Sequence, residues 1–266
     1  MLITSPANPR IKAVVGLRRR RTREAERRTV VEGHEELSLA LEAGVVPELV
    51  LVCPELMADG VLDEVLARAD ELAVETVQAS RAAFEKAAYR EGPDGVLAVV
   101  PTTRRRPAEL TLPQDALVLV CEGVEKPGNL GAVLRTAEAA GVDAVVAADP
   151  VTDWGNPNTV RASKGTVFSV PVAADGTEAT LDWLDGHGIP LVAATPDTDA
   201  LHTSVDYRGP VAIAVGTEKT GLTELVLGRA THRVRIPMSG RVNSLNVATS
   251  AAIIVYEAVR QRGRGR

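Results

Sequence analysis

Three stretches of this chain carry polar side chains where no helix or strand needs them. Residues 233–262, RVRIPMSGRVNSLNVATSAAIIVYEAVRQR, pass from a β-like run through Pro237 into a loop with Ser239, Arg241, Asn243, Ser244 and Asn246, then into a helix. Residues 216–222, GTEKTGL, set Glu218 and Lys219 between two glycines directly after an apolar run. Residues 122–129, EGVEKPGN, follow another apolar run and end on Asn129, where an N-cap side chain would stand. The helix that follows has Leu130, Val133, Leu134 and Ala137 at core spacing, with Arg135 off that stripe. Position alone leaves Arg135 either reaching the loop mouth or solvating an exposed face. Polar loops at the carboxyl ends of buried strands are where α/β proteins bind ligands.

The residue types narrow the chemistry. Amides, hydroxyls, one carboxylate and one guanidinium suit the binding and orientation of a polar substrate. No histidine, cysteine or paired carboxylate stands in the three loops to take a proton, and His187, His202 and His232 lie outside them. A GxxxxGK[ST] phosphate loop and a GxGxxG dinucleotide turn are both absent, which disfavours a nucleotide- or NAD-dependent α/β enzyme.

These loops need strands and helices to hold them, and the second half of the chain supplies an alternating pattern. Residues 116–121 form an apolar run suited to a strand buried on both faces, followed by a helix over 130–140 that Gly141 stops. Further strands are expected at 144–147, 191–194, 211–215 and 234–236. A final helix over about 244–260 is apolar almost all round through Ala251, Ala252, Ile253, Ile254 and Val255, so its own domain or a partner subunit must enclose it. The first third reads as a smaller α/β unit: helices at 9–27, 35–43, 61–69 and 80–88, and strands at 29–32, 49–53, 74–77 and 95–100. Three prolines and three arginines over 101–113 mark a linker. We place an N-terminal domain at 1–104, the linker at 105–113 and a second domain at 114–266.

A chain of 266 residues with 45% hydrophobic content builds a real core, and with only 3% aromatics its core rests on Val, Leu, Ile and Ala. The formal net charge of −5 hides nine Lys and Arg between Arg10 and Arg28. Arg10, Lys12, Arg18, Arg19, Arg20 and Arg21 are the candidates there for binding a polyanion, and the tail adds Arg260, Arg262, Arg264 and Arg266. The alternative is a solvated, arginine-rich helix. Cys53 and Cys121 lie far apart in apolar surroundings, as buried free thiols do, and no spacing of ligands suggests a metal. No apolar run reaches about 18 residues and the N-terminus lacks a signal core, so a soluble, cytoplasmic protein is expected.

PGNLGAVLRTAEAAG (127–141), VGTEKTGL (215–222) and RIPMSGRVNSLNVATSAAI (235–253) together resemble, in order and spacing, the three signature motifs of the SpoU family. This family comprises S-adenosylmethionine-dependent RNA 2′-O-ribose methyltransferases of the SPOUT superfamily. VRASKGTVFSVPV (160–172) is similar to a fourth family segment, and VVEGHEELSLALEAG resembles, more loosely, the small substrate-binding domain fused ahead of the catalytic one. The resemblance implies an α/β fold: a C-terminal SPOUT domain with a parallel sheet and a deep trefoil knot, preceded by a small α/β RNA-binding domain. It also implies an obligate homodimer packed partly through the last helix. Arg135, Asn129, Glu218, Ser244 and Asn246 then become the catalytic set. S-adenosylmethionine would lie against Thr195, Gly216, Ile236, Met238 and Leu245, while Arg161 joins the RNA-binding residues. Arg241 and Asn243 fall where family members differ. The leading segment points to 23S ribosomal RNA, with transfer RNA, or a non-catalytic RNA-binding or ribosome-assembly role, as alternatives.

Overall fold

The computed structural model describes residues 2–103, 105–241 and 244–263, so Asn243, Arg264 and Arg266 lie outside the described residues. Two compact units share the chain: Met1–Thr103 with Asp153–Ser169, and Arg104–Thr152 with Val170–Arg266.

In chain order the first unit has β1 (Leu2–Ile3), α1 (Pro9–Gly16), α2 (Arg20–Glu26), β2 (Arg28–Glu32), α3 (His34–Glu42), β3 (Leu49–Val52), α4 (Val61–Glu71), β4 (Glu75–Ala79), α5 (Arg81–Ala87) and β5 (Val96–Pro101). Its sheet runs β1-β4-β3-β5-β2 and is mixed: β1 and β3 pair parallel with β4, while β5 is antiparallel to β3 and β2. Ile11 and Val14 from α1, with its C-cap Leu17, meet Leu51, Val77, Phe84 and Leu97 in its core.

The basic segment is two helices, where one helix over 9–27 is expected from the sequence. Arg23 explains how the break is tolerated. Its Nη1 donates to the carbonyls of Leu17 and Arg18, both at 2.9 Å, and so satisfies acceptors that a helix end leaves free. Arg27, in the left-handed region at φ 55°, then ends α2.

The second unit opens with β6 (Leu117–Glu122), α6 (Pro127–Ala140) and β7 (Ala144–Ala148). The chain then contributes α7 (Pro157–Ala162) to the first unit, against β2, before β8 (Val172–Asp175), α8 (Thr177–Gly186), β9 (Leu191–Ala194), β10 (Val211–Val215), α9 (Glu224–Arg229), β11 (His232–Val234) and α10 (Val247–Arg262). The six strands form one wholly parallel sheet in the order β11-β9-β10-β6-β7-β8. Val118, Val120, Val146, Ala212 and Ala214 pack with Leu181 and Leu184 of α8, and α10 packs on α6 and β10.

Several expected boundaries move, each for a local reason. Pro127 opens α6 with Lys126 as its N-cap, so Asn129 sits inside the first turn and its side chain is free for lateral bonds. The last strand ends at Val234, which pairs with Ala194, the final residue of β9; Ile236 therefore belongs to the loop. Asn246 caps α10 through its side chain, 2.9 Å from the Ala248 amide, which leaves Ser244 and Leu245 before the helix. The face of α10 is also less uniform than Ala251–Val255 suggests, since Glu257 is buried and Tyr256 is 49% exposed. The weakly periodic β1, α7, β8, α8 and α9 are elements that the sequence reading does not foresee.

Candidate active site

Parallel order places the carboxyl ends of β6 and β10 side by side, with Val215 in register with Cys121. Their following loops therefore leave the sheet together. The β10 loop is a closed ring. Thr217 and Gly221 exchange both backbone hydrogen bonds, at 3.2 and 3.0 Å. A Cβ on Gly216 would lie 2.3 Å from the Gly221 carbonyl carbon, so only glycine admits this closure. Glu218 stands on the ring.

Three side chains converge on that carboxylate. Asn129 Nδ2 donates to Glu218 Oε1 at 2.8 Å, Asn246 Nδ2 donates to the same oxygen at 2.9 Å, and Lys126 Nζ lies 2.5 Å from Oε2. Asn246 Nδ2 also donates to Asn129 Oδ1 at 3.1 Å. The amide orientations follow from one backbone group. Ala248 N–H needs Asn246 Oδ1, so Asn246 Nδ2 must face Glu218 and Asn129, and Asn129 in turn presents its oxygen to Asn246 and its nitrogen to Glu218. The hydrogen bond from Lys126, then that from Asn129, holds the Glu218 pKa below the ordinary carboxylate value. Glu218 is thus a fixed negative charge and a weaker base than an ordinary carboxylate, the wrong direction for a group that must accept a proton.

Asn129, Glu218 and Asn246 are therefore assembled from three distant segments. Lys126 joins them unannounced, although a lysine directly before a helix-opening proline is a signal a reader of the sequence could have used. Ser244 is exposed and makes no hydrogen bond among the described residues. Arg135 lies six residues beyond Asn129 on α6, about 9 Å along the axis and about 120° around it in regular helix geometry. It is exposed, and no hydrogen bond or ion pair holds it among the described residues.

The segments expected to hold a cofactor end adjacent strands. Thr195 follows β9, 9% exposed, with its amide on the Val234 carbonyl at 2.9 Å. Gly216 follows β10, and Ile236, Met238 and Leu245 are half-buried in the loop after β11. Among the described residues, no backbone hydrogen bond is made by Ile236, Met238 or Leu245. Half-buried apolar side chains beside unpaired main-chain groups fit a ligand that combines a flat heterocycle with polar edges.

In the first unit the basic candidates divide. Arg10 pairs with Glu75 at 2.5 Å, and Arg20 with Glu24 at 2.8 Å. Arg18 donates to the carbonyls of Lys86 and Ala88, with its guanidinium carbon 5.7 Å from the centre of the Tyr89 ring. Arg23, 2% exposed, forms a two-point pair with Asp153 at 3.1 and 2.5 Å. Lys12, Arg19, Arg21 and Arg161 are exposed and make no such bonds among the described residues. Cys53 and Cys121 are buried free thiols, and burial pushes Cys121 up to about 12.

The chain matches known proteins along almost its whole length. A sequence model of the SpoU rRNA methylase family matches residues 116–256, and one of an MRM3-like substrate binding domain matches residues 8–98. The 23S rRNA (uridine(2479)-2′-O)-methyltransferase of Streptomyces viridochromogenes is 31% identical over 96% of this chain and 90% of its own. A solved RNA 2′-O ribose methyltransferase superposes with a TM-score of 0.83 at 42% identity, covering 98% of this chain and 99% of its own. An AdoMet-bound rRNA methyltransferase from Sinorhizobium meliloti superposes at 0.89 with 27% identity, covering 98% and 97%. With both sequence and fold matched along almost its whole length, the chain belongs to the SpoU rRNA methylase family.

Proposed function

We propose that this protein transfers a methyl group from S-adenosylmethionine to a ribose 2′-hydroxyl of 23S ribosomal RNA. The observation that carries the reading is the closed network of Lys126, Asn129, Glu218 and Asn246, which ties together the segments that follow β6, β10 and β11 of one parallel sheet. Bound S-adenosylmethionine supplies an electrophilic methyl on a sulfonium. The protein's own residues have three tasks: to hold the cofactor, to bring one hydroxyl in line, and to stabilise the charge that develops on its oxygen.

Thr195, Gly216, Ile236, Met238 and Leu245 hold the cofactor, the last three beside main-chain groups that make no backbone hydrogen bond among the described residues. Arg135 meets the RNA. No hydrogen bond or ion pair holds its guanidinium among the described residues, and its planar fork is shaped to grip a phosphate while stabilising the developing alkoxide. Asn129 and Asn246, locked by Glu218, orient the ribose, with Ser244 beside them; much of the acceleration comes from this positioning. No residue of the site is a base of suitable strength, so the proton leaves to solvent or to the RNA as the oxygen attacks.

RNA selection falls to the N-terminal domain at 1–104 together with residues 153–169, which belong to the same compact unit, and catalysis to the rest of the domain at 114–266 beyond the linker at 105–113. Lys12, Arg19, Arg21 and Arg161 give salt-sensitive phosphate affinity. We further infer a homodimer packed through α10, where Tyr256 is exposed and Ile253 half-buried, and a cytoplasmic location, where ribosomal RNA is made. The expected trefoil knot is supported by the chain path, since β11 pairs at the sheet edge and α10 then returns to α6 and β10. Mapping 2′-O-methylation across the total RNA of a deletion strain, complemented with the wild-type gene or Arg135→Ala, tests the reading. One nucleotide should lose its methyl group and regain it only with the wild-type gene; an unchanged map sinks the proposal.

A further inference from the structure

The network around Glu218 closes the two catalytic loops at their tips. A second acidic side chain, Glu122, closes them at their base. It is the last residue of β6, one step beyond the Cys121–Val215 pair from which the Gly216 ring departs. It is 3% exposed, and no cation pairs with it among the described residues. Burying an unpaired carboxylate costs several kcal/mol in real proteins, and an apolar side chain at this strand end would avoid that cost. The donors that offset it show what the residue holds.

Thr223, two residues beyond the ring and the N-cap of α9, gives both of its donors to this one carboxylate. Its amide reaches Oε2 at 2.8 Å and its hydroxyl reaches Oε1 at 2.7 Å. Thr177 Oγ1 stands 3.2 Å from Oε1 but 2.6 Å from Asp149 Oδ2. A hydroxyl has one proton, so Thr177 serves Asp149, and the two bonds from Thr223 define the clasp. The loop that bears Lys126 and leads to Asn129 in the first turn of α6 begins at Gly123, whose left-handed φ of 62° turns the chain immediately after Glu122. A Cβ there would press within 3.1 Å of Thr217 Cγ2 in the ring. One buried carboxylate therefore ties the end of the ring to the start of the loop that meets it above.

We propose that Glu122 is a positioning residue for methyl transfer, which holds the Gly216–Gly221 ring so that Glu218 stays within reach of Asn129 and Asn246. This rests on the role assigned to Glu218 under the proposed function. Glu122 touches neither RNA nor cofactor and acts through Thr223 and the ring.

The test measures methyl transfer by the full-length protein to unmethylated 23S rRNA from a deletion strain, under single-turnover conditions. Glu122→Gln and Thr223→Val are made alone and on a Glu218→Ala background. Each alone should slow transfer by about tenfold or more, as small misplacements in active sites do, while KM for S-adenosylmethionine stays within about twofold. Thr223→Ser should restore the rate. On the Glu218→Ala background the same changes should slow transfer no further. Normal rates in both single variants, or rate losses that multiply with that of Glu218→Ala, overturn the role of Glu122. Should Glu122→Gln fail to fold, Thr223→Val and its serine rescue decide alone. A normal rate for Glu218→Ala itself would instead overturn the site assignment, and the role of Glu122 with it.

Discussion

The site loops of the second unit and the basic segment of the first are both dense in polar side chains, and they use them in opposite ways. In the loops, Lys126, Asn129, Glu218 and Asn246 bind one another, while on the helix that follows no hydrogen bond or ion pair holds Arg135 among the described residues. In the basic segment, Arg10, Arg18, Arg20 and Arg23 are held by carboxylates or carbonyls, while Lys12, Arg19 and Arg21 have no partner among the described residues. Pairing among polar groups builds a rigid frame around the Glu218 carboxylate in the first case. In the second it builds a domain and leaves a scatter of free charge. A guanidinium's role is thus set by what already occupies its donors, and residue type alone does not reveal it.

The comparison breaks most sharply at Arg23. Arg23→Ala strands Asp153 and the Leu17 and Arg18 carbonyls, and should destabilise the protein by about 3–5 kcal/mol, read from denaturant unfolding. An RNA-contact role instead would show as lost affinity in a protein of normal stability. Arg135→Ala should do the reverse: methyl transfer falls by about 10²- to 10³-fold, the scale of losing one donor to a developing oxyanion, with the melting temperature unchanged. Arg135→Lys should stay slow, because an ammonium lacks the two-point geometry.

Smaller effects separate held charges from open ones. Replacing Lys12, Arg19 and Arg21 together by alanine should lower RNA affinity and reduce the slope of log affinity against log salt by roughly two, at about 0.7 per phosphate contact on single strands. Arg10→Ala and Arg20→Ala should leave that slope alone. The gentlest test is a titration. Hydrogen bonding from Lys126 is the largest cause of the depressed Glu218 pKa, so Lys126→Ala should move that carboxyl's titration upward, as followed by carbon NMR. The sign follows from the depression: the geometry that Glu218 supports is complete above the ordinary carboxylate pKa and is lost only as pH falls through the lower folded value. The wild-type rate should therefore show no Glu218-dependent step near neutrality.

Much of the second unit is legible in the sequence because buried parallel strands are near-continuous apolar runs. Residues 116–121, 191–194 and 211–215 match β6, β9 and β10 within a residue. The elements that escape notice have short or mixed patterns, such as α8 with its TEATLDWLDG, where three acidic residues dilute the apolar stripe. Asn129, Glu218 and Asn246 stand out as polar residues after such strands, but their mutual bonds do not, because 89 and 28 residues of chain separate the partners of Glu218. Lys126, Glu122 and Thr223 go unnoticed for the same reason, since a donor's partner is a property of strand order.

What the sequence determines by itself is local: periodicity, turns, the glycines of the ring, and three motifs whose types and order identify a family. Local rules fix these because each depends on neighbours within one helical turn or strand pair. Tertiary structure alone decides which charges are free. The parallel order β10-β6 sets the two loops of the candidate site side by side, places a buried carboxylate beneath them, and gives Glu218 three donors from distant segments. A hydrogen bond acts over about 3 Å, whatever length of chain lies between its partners, so its energy is decided only when the fold closes.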